Sequence, residues 1–178
     1  MFNVRIENLK KLNEMQDIIK NTASIIKNAI LDGNKILFCG NGGSASDSNH
    51  LCAEFICRFQ KERKSIPAIS LVSNNSVISA IANDYSFDDI FKRQIESLGK
   101  KGDILIAIST SSKSKNVLNA IEQAKKQDMT VILLTGENNI KTKADITIKA
   151  PSKITCEIQE MHIAIGHILC EIIENELF

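Results

Sequence analysis

The chain has no long apolar run, no surplus of either charge and few aromatic rings, and each shortage removes a class of function. Nothing in its 178 residues approaches 18 consecutive apolar positions, so no segment is expected to span a membrane. Lysine and arginine number 22 against 21 acidic residues, a net charge of +1, and aromatics make up 4% of the chain. With no basic surplus, and no Lys or Arg run alternating with aromatics, a nucleic-acid footprint is not expected. The start, Met1-Phe2-Asn3-Val4-Arg5-Ile6-Glu7, lacks the basic-then-apolar plan of a signal peptide, and the expected compartment is the cytoplasm.

Other absences narrow the chemistry. Five scattered cysteines (Cys39, Cys52, Cys57, Cys156, Cys170) form no Cys-x-x-Cys pair, and read as reduced core thiols, not disulfides or a zinc ribbon. Gly40-Asn41-Gly42-Gly43-Ser44 falls short of the dinucleotide pattern because Ala45 stands where its last glycine belongs. Ser73 and Asn74, not an acid, follow the second apolar run, which disfavours a nicotinamide cofactor. There is no Walker lysine either.

What is present is an ordinary globular composition, 43% apolar and 24% charged, in one domain spanning 1–178. Leu9, Leu12, Met15, Ile19, Ala23, Ile26 and Ile30 recur at helical spacing and predict one long amphipathic helix, closed by Asp32-Gly33-Asn34. Short apolar runs predict strands at 35–39, 67–72, 103–108, 130–134 and 145–149. Helices are predicted at 46–59, 75–82, 87–98, 115–127 and 154–177. Alternation of strand and helix implies an α/β fold: a five-stranded parallel sheet covered on both faces, a flavodoxin-like three-layer sandwich with long terminal helices. Ligands in such sheets sit beyond the C-terminal strand ends, where the strand order reverses. The loops after the first and third strands, 40–44 and 109–114, are the expected neighbours of that point. The last helix is apolar around much of its circumference (Ile158, Met161, Ile163, Ile165, Ile168, Leu169, Ile172, Ile173), which favours a homo-oligomer.

Ser109-Thr110-Ser111-Ser112-Lys113-Ser114 carries five hydroxyls in six positions between a strand and a helix. One capping residue would satisfy a helix start; five hydroxyls beside free backbone N–H groups and a helix dipole suit a phosphate. His50 and Glu54, spaced i, i+4, share a helix face. Alone the pair fits a metal site or an ordinary surface contact. Gln159 and His167 are two turns apart and nearly aligned, whereas His162 stands roughly 140° from His167 and reads as a packing residue. Asn83-Asp84-Tyr85, taken alone, is a polar turn.

Taken together, Cys39-Gly40-Asn41-Gly42-Gly43-Ser44, His50–Glu54, Ala82-Asn83-Asp84-Tyr85, Ile108–Ser114 and Ile158-Gln159-Glu160 through His167 resemble one family along essentially the whole chain. It is that of the bacterial phosphoheptose isomerases, which are sugar-isomerase (SIS) domain proteins. The resemblance implies interconversion of D-sedoheptulose 7-phosphate and D-glycero-D-manno-heptose 7-phosphate through an enediol, feeding lipopolysaccharide or capsule. It also implies a homotetramer with a zinc site and an active site built between subunits. Carried over residue by residue, the metal ligands fall on His50, Glu54, Gln159 and His167. Substrate contacts fall on Asn41, Gly42, Gly43, Glu54, Asn83, Asp84, Ser109, Thr110, Ser111, Ser114 and Gln159. Glu54 takes the place of the general base and His167 that of the general acid.

The chain departs from the family pattern where Ser112-Lys113 replaces Gly-Asn in the hydroxyl loop; if that glycine needs a positive φ, Ser112 carries strain. Ser46 and Ser48 also stand where small apolar residues are common. Two other readings compete. One is a non-catalytic SIS module that binds a phosphosugar or a replication-initiator protein; such a module has no need of both Glu54 and His167. The other is an isomerase of a different sugar phosphate, such as arabinose 5-phosphate.

Overall fold

Successive strand residues point into two separate cores. The computed structural model describes residues 2–137 and 142–178. Five parallel strands, β1 (Ile36–Gly40), β2 (Ala68–Ser70), β3 (Ile104–Ile108), β4 (Thr130–Gly136) and β5 (Ile146–Ala150), lie in the order β2-β1-β3-β4-β5. Side chains alternate across a strand. Ile36, Phe38, Ile104, Ile106, Ile108, Ile132 and Leu134 therefore face one layer of helices, and Leu37, Cys39, Leu105, Ala107, Val131 and Leu133 face the other. Burial on both faces is why these strands read as continuous apolar runs.

The first layer contains α2 (Gln16–Leu31), α3 (Gly43–Ile56) and α7 (Thr155–Leu177), with α1 (Phe2–Leu12) lying along α7. Ile19, Ala23, Ile26, Leu51, Phe55, Ile165 and Leu169 pack from it onto the sheet. The second layer, α4 (Asn75–Asp84), α5 (Lys92–Leu98) and α6 (Lys115–Lys126), contributes Ile81, Ile95, Val117, Ala120 and Ile121. Each fully buried Ile or Leu contributes roughly 1.5–3 kcal/mol, so these two cores, more than helix propensity, hold the layers. The expected three-layer sandwich is the observed one. Because β1 lies between β2 and β3, the chain leaves β1 in one direction and returns to β3 on its other side. The loops after β1 and β3 thus flank a crevice at the strand ends, as expected.

Several boundaries differ from expectation: the helix predicted to reach 59 ends at Ile56, the second strand is only Ala68–Ser70, the fourth runs on to Gly136, and three further differences have a clear local cause. The single N-terminal helix is broken at Asn13–Met15 by a 3-10 turn, where Met15 has φ −99° and ψ 9°. Asn13 accepts a hydrogen bond from the Gln16 side chain, a local alternative that weakens the helix there. The helix predicted to start at 46 starts at Gly43: Gly42, at φ 55° and ψ −122°, turns the chain sharply enough for the helix to begin at once. The helix predicted over 87–98 is a 3-10 turn, Phe87–Asp89, capped by the Ser86 hydroxyl, and then the shorter α5. Of the cysteines expected in the core, Cys39, Cys52 and Cys170 are buried. Cys57, at the end of α3, and Cys156, in the first turn of α7, are exposed because a helix end turns one side to solvent. Among the described residues, no helix is long and apolar enough to cross a membrane.

Candidate active site

A cleft of about 270 Å³ opens at the crevice between the β1 and β3 loops. Asn41, Gly42, Gly43 and Ser44 form one wall, Ser109, Thr110, Ser111 and Ser114 the other, and Thr155 and Gln159 close it from α7. Three helices begin at its rim: α3 at Gly43, α6 just after Ser114 and α7 at Thr155. The dipoles of these helix N-termini favour an anion, and among the described residues no lysine or arginine lines the cleft. The ligand it suits is a phosphate held by hydroxyls and amides. A second groove, of about 350 Å³ along α1, α2 and α7, is lined mostly by apolar groups such as Leu12, Ile19 and Ile168, with no histidine, cysteine or carboxylate among the described residues that line it.

The hydroxyl loop is braced from within. Ser109 is buried, and its hydroxyl accepts the backbone N–H of Ser112 at 3.1 Å. Ser112 sits at φ 50°, so the positive φ expected where the family has glycine is present. Ser111 and Lys113 are exposed, and the Ser114 hydroxyl makes no capping bond. Across the cleft, Asn41 and Asn116 exchange two side-chain hydrogen bonds, each 2.9 Å, which fixes the Asn41 amide against α6. Gly43 has no side chain for a steric reason: a Cβ there would lie 2.3 Å from the Gln159 amide nitrogen.

Farther along α3 and α7 a second cluster forms. His50 Nε2 lies 3.0 Å from His167 Nε2 and 3.2 Å from Glu54 Oε1. One ligand atom from each of His50, Glu54 and His167 lies within 4.8 Å of the others. Two imidazoles and a carboxylate so placed suit a divalent ion of borderline softness. The cluster exists because α3 and α7 pack closely at Gly166, where a Cβ would lie 2.5 Å from Leu51. That contact brings His167, the next residue, beside His50. The Phe59 ring covers His167, centroid to centroid 5.4 Å. By helical rise the cluster lies some 10–12 Å from the cleft, since seven residues separate His50 from Gly43 and eight separate His167 from Gln159.

Two titratable groups flank these features. Asp47, one turn before His50, keeps one carboxylate oxygen buried without a hydrogen-bond partner; burial raises its pKa against the pull of His50. His162 is completely buried, as its packing role predicts; burial takes its pKa down to about 4, only partly offset by the Thr135 backbone.

Eight of the sequence-predicted residues, Asn41, Gly42, Gly43, Ser109, Thr110, Ser111, Ser114 and Gln159, line the cleft, and His50, Glu54 and His167 form the cluster. Asn83 and Asp84 do not line it: they are exposed at the end of α4, bonded to each other at 2.8 Å. Thr155, Asn116 and Phe59 escaped the sequence reading. Thr155 had a signal in its place at the start of the last helix. Phe59 had none, since its contact with His167 joins distant parts of the chain.

The SIS domain family matches residues 2–136. The chain is 48% identical over 163 residues to the phosphoheptose isomerase of Thermodesulfovibrio yellowstonii, covering 90% of this chain and 81% of that protein. With the phosphoheptose isomerase of Shewanella frigidimarina the identity is 46% over 169 residues, covering 92% and 86%. Among solved structures it resembles the phosphoheptose isomerase of Francisella tularensis, with a TM-score of 0.92, 36% identity and coverage of 98% of this chain and 94% of that one. For the phosphoheptose isomerase of Neisseria gonorrhoeae the TM-score is 0.90 at 34% identity, covering 98% and 95%.

Proposed function

Since the chain belongs to the SIS-domain family, and within it to the phosphoheptose isomerases, we propose that it interconverts D-sedoheptulose 7-phosphate and D-glycero-D-manno-heptose 7-phosphate. The observation that carries the proposal is the pairing of two features at a set distance: a hydroxyl-and-amide cleft suited to phosphate, and a carboxylate–imidazole cluster farther along the same two helices. A phosphosugar binds with its phosphate in the first and C1 and C2 at the second.

In this reading Ser109, Thr110, Ser111 and Ser114 hold the phosphate. Asn41, Gly42, Gly43 and Gln159 orient the chain of carbons. The phosphate, remote from the reaction, supplies binding energy that fixes the reacting end. Glu54 takes a proton from C1 of the ketose, giving the enediol, and the proton returns at C2 to give the aldose. His167 moves the proton between O1 and O2, a role suited to an imidazole near neutrality. His50, Glu54 and His167 are the residues that would hold a zinc ion; Gln159, expected to join them, has its amide against Gly43 in the cleft, two turns along α7 from His167, and keeps only its substrate role in this reading. When bound, such an ion polarises the substrate carbonyl and orients its oxygens. Glu54 would then have two roles, as one of the groups able to hold the ion and as the base toward C1.

The assembly proposed is a homotetramer. The half-buried row Ala164, Ile168 and Ile172 on α7, with exposed Ile6 and Leu9 on α1, supports an apolar contact with further copies. Asn83 and Asp84, which do not reach the cleft of their own chain, serve a neighbour's site in this arrangement. The product feeds heptose into lipopolysaccharide or capsule, in the cytoplasm.

Proton NMR of sedoheptulose 7-phosphate with the purified protein in D₂O, with and without zinc, tests the proposal. A heptose 7-phosphate carrying deuterium at C2 is the expected product. Phosphosugar binding without any turnover would replace this reading with a sensing or scaffold role.

A further inference from the structure

Arg63 and Glu174 form a buried ion pair, with side chains only 1% and 3% exposed, that no part of the proposed reaction uses. Arg63 Nε donates to Glu174 Oε1 at 2.7 Å. Three of its four remaining N–H groups donate to backbone carbonyls: Nη2 to Glu54 at 2.7 Å, Nη1 to Phe55 and to Lys64, each at 3.0 Å. The Glu54 and Phe55 carbonyls lie in the last turn of α3, where a helix leaves such groups without partners. Glu174 in turn accepts the backbone N–H groups of Phe59, Gln60 and Lys61 at 3.0, 2.7 and 2.8 Å. Burial alone would raise its carboxyl pKa; the Lys61, Gln60, Arg63 and Phe59 donors outweigh that and take it down to about 2.

A buried ion pair adds little net stability, because desolvation offsets the attraction. This pair supplies direction instead. Glu174 is seven residues beyond His167 on α7, two turns on and on the same face. The guanidinium therefore ties the carbonyl of Glu54 to the helix that carries His167, and Glu174 holds the loop whose Phe59 ring covers His167. We propose that Arg63 and Glu174 are positioning residues for the reacting cluster, fixing Glu54 at the end of α3 and Phe59 against His167. Glu54, His50 and His167 can then meet an ion and a sugar without first being ordered. The planar fork of Arg63 is needed, since one lysine ammonium cannot reach a carboxylate and three carbonyls together.

The inference rests on the isomerase reading, so its test uses a readout that does not require turnover. Metal-free full-length protein is titrated with cobalt(II), following the ion's visible absorption, alongside kcat and KM for sedoheptulose 7-phosphate. Glu174→Gln and Arg63→Lys are expected to melt cooperatively, weaken cobalt binding about tenfold, as loss of groups orienting metal ligands does, and lower kcat by a similar factor. KM should stay within about twofold, because the phosphate cleft is untouched. Folded variants whose cobalt affinity and kcat match the wild type, or whose only change is a lower melting temperature, overturn the proposal. If both variants fail to fold, Phe59→Leu decides it: weaker cobalt binding with lower kcat supports the clamp, and no change in either refutes it. A wild-type protein that binds cobalt but does not isomerise the sugar would sink the isomerase reading alone, and the cobalt series would still test the clamp.

Discussion

The Ser112 and Thr135 hydroxyls lie 2.5 Å apart, both buried, and join the hydroxyl loop to the end of β4. This contact accounts for a serine where the family pattern has glycine. The backbone is left-handed there, which costs a non-glycine residue roughly 1–2 kcal/mol, and the hydrogen bond returns about 0.5–1.5 kcal/mol. Ser112→Ala keeps the strain and leaves Thr135 without a partner, so a loss of about 1–3 kcal/mol is expected in urea unfolding. Ser112→Gly sheds the strain and should lose less. Equal losses in the two variants would mean that the left-handed backbone costs nothing.

Glu54 and Gln are close in shape, so Glu54→Gln should leave melting temperature and oligomeric state unchanged. Turnover should fall by about 10²–10⁴-fold, the usual contribution of a positioned acid or base. Stopped deuterium exchange at C1, read by NMR, checks the same step directly. Exchange at the wild-type rate would assign the base elsewhere.

Gly43→Ala tests the wall between cleft and α7. The added methyl meets the end of a flexible side chain, the Gln159 amide, so the fold should tolerate it while Gln159 is pushed from its place. Loss of one hydrogen bond of about 0.5–1.5 kcal/mol predicts a fall in kcat/KM of roughly 2–12-fold with little change in stability. Steady-state kinetics beside a thermal melt separates the two effects.

Acid should destabilise the protein in two stages. His162 is held neutral, with a pKa of about 4 against an ordinary 6.5. Between those values the unfolded chain binds a proton that the native one does not, so stability is complete above pH 6.5 and declines as pH falls towards 4. Glu174, at about 2 against 4.5, adds a second decline from pH 4.5 downward, where its protonation releases the donors of the 59–61 backbone and Arg63. His162→Leu should reduce the slope of unfolding free energy between pH 6.5 and 4.5 by about 1.4 kcal/mol per pH unit, and leave the lower stage in place. An unchanged slope in urea titrations across that range would show that His162 titrates normally.

The strands and most helices were legible because their cause is local. Ile36, Phe38, Ile104 and Ile106 are buried for the same apolar run that marks them as strand. The boundaries that moved turn on features that periodicity does not contain: a side-chain bond at Asn13, a left-handed Gly42 and a cap at Ser86. At the site, helical spacing paired His50 with Glu54 and Gln159 with His167, and the family resemblance gave those residues their expected roles. Phe59 and Arg63 carried no such mark, since an aromatic ring and a basic residue in a loop are ordinary until a partner from α7 arrives.

By itself, then, the sequence determined the alternation of elements, the two loops at strand ends and the residue types available to each. These follow from propensity and pattern within a few turns of chain. Only the tertiary structure decided that His167 lies 3.0 Å from His50, that Gln159 rests on Gly43, and that Glu174 reaches the loop beyond α3. Those pairings depend on how α3 and α7 cross at Leu51 and Gly166, a matter of close packing over the sheet that no local stretch of sequence encodes.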